Sequence, residues 1–154
     1  MKNIILATSV IVCLLLVTTS SLSQDRGFGI GVIVGEPTGI SMKGWLSSTS
    51  ALDVGLAWSF AKETSFHIHG DYLLHSFNVF KTQERIPLYY GIGGRIKTGR
   101  REDDRVGLRM VVGIGYIFRD APVDLFVEVA PILDLAPSTD FRMNAGLGAR
   151  FFFH

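Results

Sequence analysis

His67, His69, Asp71 and His75 fall on alternate positions of one short segment. In an extended chain such positions share a face. Imidazole and carboxylate groups brought together in this way could hold zinc, copper or nickel. One strand rarely supplies a full ligand set, however. The register derived below also brings Arg95 close, and a guanidinium repels a cation. The residues therefore read as hydrogen bonders that fill an interior, with no metal. His75-Ser76 is the only adjacent His–Ser pair. Adjacent strand residues face opposite ways, so they cannot act as nucleophile and base. Gly91-Ile92-Gly93-Gly94 lies in a strand pattern with no helix to follow, which excludes a phosphate-cradling loop. No catalysis and no cofactor are expected.

The elements that carry these residues have a two-residue rhythm. Leu52, Val54, Leu56, Trp58 and Phe60 alternate with Ala51, Asp53, Gly55, Ala57 and Ser59. One face is apolar and the other is small or polar, the mark of a strand between two environments. The pattern recurs to predict strands at 28–35, 40–46, 51–60, 65–77, 88–97, 106–119, 124 to about 134, and 141–153. Turn residues separate them: Glu36 to Gly39, Ser47 to Ser50, Ala61 to Thr64, a polar link at 78–86, a charged loop at 98–105, Asp120 to Pro122, and Ala136 to Asp140. Pro131 cannot donate to a ladder, so the seventh strand is expected to bulge or shorten there. Short connections between neighbours predict an all-β, eight-stranded antiparallel up-and-down barrel.

Ahead of the strands, Lys2 precedes an apolar run from Ile4 to Val17 and small residues from Thr18 to Ser23. This is the pattern of a cleaved signal peptide at 1–23, leaving a barrel domain at 24–154. Cys13, the only cysteine, lies inside the leader, so the exported part has neither a disulfide nor a cysteine metal site. Of the fifteen Lys and Arg one is Lys2, and the others balance fourteen Asp and Glu. No basic excess points to nucleic acid. Seventeen glycines follow the leader, a costly number for helices.

Alternation alone does not say which face is inside, since a soluble barrel and a membrane barrel invert each other. The apolar face carries no charge in any predicted strand. The second face is rich in glycine with interspersed Arg and Lys, which suits a narrow lumen better than a solvated surface. With the first strand rising, Phe28, Tyr90, Tyr116, Phe118, Phe151 and Phe153 gather near one rim, and Trp58, Phe60, Phe66 and Phe141 near the other. Two such belts match two lipid–water interfaces. The expectation is a transmembrane barrel in an outer membrane. The alternative is a secreted soluble barrel around an apolar ligand.

The leader, the eight alternating strands and the terminal Phe151-Phe152-Phe153 together resemble the small eight-stranded bacterial outer-membrane barrels, the OmpA/OmpX-type transmembrane domain and related families. The resemblance implies a terminal aromatic read by the barrel-assembly machinery. Here His154 follows Phe153, a departure of one residue. It carries over no catalytic residues.

Inward positions include Lys43, Asp53, His69, Asp71, Arg95, Arg109, Glu128 and Arg150. Counting across the turn at Ser48 puts Lys43 nearly opposite Asp53, and counting across the 78–86 link puts Arg95 near His69 and Asp71. Buried charges must pair, so these form a salt-bridged plug. A narrow anion-preferring pore is the alternative, because cations outnumber anions in this set. Trp45 counts onto the polar face and suits a rim position. Outward loops are short, and only Gly99 to Arg105 offers a distinctive charged surface.

Overall fold

The computed structural model describes residues 27–36, 38–59, 65–99 and 104–153. The leader at 1–23 with Cys13, Phe60, the run from Arg100 to Asp103, and His154 lie outside the described residues. Eight strands follow in order: β1 (Phe28–Gly35), β2 (Gly39–Trp45), β3 (Ser50–Ser59), β4 (Ser65–Ser76), β5 (Leu88–Gly99), β6 (Arg105–Ile117), β7 (Val123–Ala136) and β8 (Asp140–Phe153). Each pairs antiparallel with the next, and β8 returns to β1 with registers from Phe28↔Phe153 to Gly35↔Gly146. The sheet is a closed barrel and leaves no unpaired edge. Its base carries Phe28 and Phe153; its mouth carries the β1–β2, β3–β4, β5–β6 and β7–β8 connections.

The two-residue rhythm sets the faces. Along β6, Val106, Leu108, Met110, Val112 and Ile114 are exposed, while Gly107, Arg109, Val111 and Gly113 are buried. Outward Val127 is 61% exposed and inward Arg109 only 1%. A soluble barrel would reverse this, so the apolar-ligand alternative is overturned. The surface is built for lipid. Belt residues Phe28, Trp58, Phe66, Tyr90, Phe118, Phe141 and Phe151 are exposed, and Tyr116 and Phe153 are half-buried. Near the base Tyr116 packs edge-on to Phe118 at 4.8 Å, and Phe151 packs on Phe153 at 5.2 Å.

Pro131 behaves otherwise than expected. β7 neither shortens nor bulges there: Pro131 pairs with Met143 of β8. The ladder to β6 runs from Arg109↔Ile132 to Val112↔Val129 with no pairing between, because the proline nitrogen has no hydrogen to donate. The register shift sits instead at Val106/Gly107, near the mouth.

Two glycines show why the inner face is so lean. A Cβ on Gly31 would collide with the Ala149 carbonyl and lie 2.6 Å from the Arg150 Cα. One on Gly113 would strike the Tyr89 ring and lie 2.7 Å from the Val127 oxygen. The interior is also partly apolar. Ile33, Leu73, Tyr89, Val111, Phe126 and Ala130 form a buried cluster. Lumen filling therefore combines packing with ion pairing, as expected where eight strands leave an interior just wide enough for side chains.

Candidate functional site

The charged interior is arranged in three levels. At the middle, Arg109 on β6 reaches β4 and β7 at once. Its Nε donates to Asp71 Oδ2 at 2.8 Å, and its Nη2 donates to Glu128 Oε1 at 2.6 Å. Tyr89 completes the level by donating to the other Glu128 oxygen at 3.0 Å. One guanidinium thus ties two carboxylates across the lumen, and its planar fork makes both contacts directional.

Below it, Arg150 on β8 is the hub. It pairs with Asp53 on β3, donates to Ser41 Oγ at 2.8 Å, and lies 3.5 Å from Asp124. Its guanidinium also lies 3.8 Å above the Phe126 ring, a favourable cation–π position. Lys43 stands directly opposite Asp53 in the β2–β3 register. Its ammonium nevertheless bonds His75 Nε2 at 2.7 Å. Lysine can only donate, so Nε2 accepts; the ring proton is then on Nδ1, which lies 3.3 Å from the Thr49 carbonyl. The Trp45 and Tyr89 rings flank the ammonium at 4.6 and 5.3 Å. Trp45 points inward near the base and packs 4.4 Å from His75.

At the mouth, Arg95 on β5 forks onto Asp134 of β7, with Nε donating at 3.0 Å and Nη2 at 2.6 Å. Arg142 on β8 shares that carboxylate at 3.3 Å and reaches Asp140 at 3.1 Å. Arg95 does stand opposite His69 in the β4–β5 register, but Asp71 stands opposite Gly93 and goes to Arg109. Pairing therefore runs across the lumen between distant strands, not only between neighbours. A neighbour count cannot find such partners. Asp124, Asp134, Arg142, Ser41 and Tyr89 were missed from the sequence. Extending the alternation of β7 from Glu128 would have placed both aspartates inward; nothing in the sequence pairs them.

The histidines do not gather around a point. His67 and His69 meet edge-on with ring centres 5.4 Å apart, His69 Nε2 is 3.9 Å from Asp71, and His75 is taken by Lys43. Among the described residues no group of three or more His, Cys, Asp and Glu is arranged to hold a metal ion. Above the ion pairs the mouth opens into a cavity of about 720 Å³.

No protein-family model and no curated protein matches the chain. In fold it is similar to the crystal structure of the N-terminal β-barrel domain of Pseudomonas aeruginosa OprF. That likeness has a TM-score of 0.56 and 16% identity, and covers 82% of this chain and 95% of that domain. An eight-stranded closed barrel with a continuous apolar exterior is an outer-membrane β-barrel in fold and in surface.

Proposed function

We propose that the chain is a resident outer-membrane β-barrel with a structural or interaction role, its lumen plugged by salt bridges, and no catalytic activity. One observation carries this reading. Arg109, among the largest fully buried side chains, bridges Asp71 and Glu128 across the middle of the lumen. A conducting path would have to part those groups, and parting a buried pair costs about 3–5 kcal/mol. Residues 1–23 would direct export, and the strand ending at Phe153 would be read by the barrel-assembly machinery. The alternative, a narrow anion-preferring pore, has less support. Among the described residues buried below the mouth, three cations, Lys43, Arg109 and Arg150, meet four carboxylates, Asp53, Asp71, Asp124 and Glu128, so these groups carry no cationic excess.

Two measurements test the reading. Expressed in a diderm bacterium, the full chain should reach the outer membrane and run as a gel band that shifts on boiling. A soluble periplasmic product would refute the location. Planar-bilayer recording at high protein load should show no conductance steps above background. Reproducible anion-selective steps would establish the pore instead.

A further inference from the structure

The link between β4 and β5 is longer than the other two turns at the base, 46–49 and 118–122. It is held at its neck. The Ile117 amide donates to the Arg85 carbonyl and the Gly115 amide to the Pro87 carbonyl, each at 2.9 Å, so residues 85–87 carry the ladder to β6 past the end of β5. The Arg85 guanidinium lies 5.4 Å from the centre of the Phe77 ring, which joins the two limbs. Within the link the Thr82 amide donates to the Phe80 carbonyl at 2.9 Å, and the Glu84 amide donates to Thr82 Oγ1 at 3.2 Å. Glu84 Oε2 accepts a hydrogen bond from the Tyr116 hydroxyl at 3.0 Å. Tyr116 belongs to the aromatic row at the base and packs on Phe118, so this bond ties the link to the lipid-facing side of the wall. Asn78, Lys81, Thr82, Gln83 and Glu84 are exposed, as suits a polar connection. Val79 and Phe80 are also exposed, at 49% and 37%. The two other base turns repeat the feature, with Leu46 and Phe118 exposed. Adjacent apolar side chains held in the open mark a contact surface.

We propose that the tip of this link docks on the phospholipid leaflet at the base, with Val79 and Phe80 seated at the boundary between headgroups and acyl chains beside Tyr116 and Phe118. The occupant follows from continuity with the lipid-facing wall. Above Tyr116 that wall presents Val112 and Ile114 to lipid. Phe80 stands four residues before the tethered Glu84, a reach of at most about 14 Å. Apolar side chains interleaved with polar ones at the level of an aromatic girdle are the composition of an interfacial segment. Val79 and Phe80 leave water there, and their polar neighbours keep it. The link then acts as an outrigger that broadens the girdle below β4, β5 and β6 and fixes how deep that side of the barrel sits. This goes beyond the plugged-barrel reading and does not depend on the state of the lumen.

The test is paramagnetic broadening of amide signals from the exported chain folded in phosphatidylcholine nanodiscs. One probe is a phosphatidylcholine with a nitroxide at the headgroup end of its acyl chain; the other is a soluble gadolinium chelate. The proposal expects the Val79 and Phe80 amides to lose as much intensity to the lipid nitroxide as the Phe118 amide does, while Gln83 loses more to the chelate. In the V79S/F80S variant the loss to the nitroxide at 79–81 should fall to the level of Gln83 in the parent, with Phe118 unchanged. Loss at Phe118 without loss at Val79 and Phe80 overturns the proposal and leaves the membrane barrel standing. Absence of loss at all three refutes the membrane reading with it. Protection of Val79 and Phe80 from both probes would mean that the tip packs on protein, which also overturns the proposal. So does a folded V79S/F80S variant, checked by its heat-shifted gel band, whose tip stays as close to lipid as in the parent.

Discussion

The lower lumen and the mouth are built from the same residue types and reach opposite outcomes. Below, each guanidinium meets more than one carboxylate, and aromatic rings and aliphatic side chains fill what the ion pairs leave. Above, Asp134 serves two arginines, Arg95 and the half-exposed Arg142, beside an open cavity. Burial explains the divergence. In the narrow part a charge is removed from water and must be fully paired to be tolerated. At the mouth Arg142 is half exposed, so water screens its ion pairs and they contribute less.

The largest effect should come from the tightest point. Arg109→Leu leaves Asp71 and Glu128 buried without their cation and should cost about 3–5 kcal/mol, read as a lower urea midpoint for the refolded barrel. A variant as stable as the parent would show that the middle level is wet and that the contrast with the mouth is false. Next comes Gly31→Val. Its side chain would meet the backbone of β8 where the barrel closes, and the fraction migrating as folded barrel should fall sharply on an unheated gel. Unchanged folding would mean that the closing strands can separate without penalty.

Smaller effects belong to the mouth. Arg142→Ala removes a side chain that is 41% exposed and should cost no more than about 1 kcal/mol in the same unfolding assay, since exposed ion pairs contribute little. A loss equal to that of Arg109→Leu would erase the distinction.

Much of the architecture was legible because side-chain alternation is local. Strand number, order and faces follow from Phe28 to Phe153 read two residues at a time, and hairpin connections bring Lys43 opposite Asp53 without knowledge of the rest. Pro131 marks the limit of that reasoning. A missing donor breaks one ladder, yet β8 holds the strand straight from the other side, so the expected bulge does not form. The inward aliphatic residues Ile33, Leu73 and Val111 mark another limit, since a face judged by its glycines and charges also supplies a packed cluster.

The sequence by itself determined an eight-stranded chain with one lipid-compatible face and one charged face, because strand periodicity and residue polarity are properties of neighbours along the chain. Tertiary structure alone decided which charges meet. Arg109 joins β4 to β7, Arg150 joins β8 to β3, and Arg95 joins β5 to β7. Those partners lie across a lumen whose width, strand tilt and stagger exist only once the sheet has closed on itself.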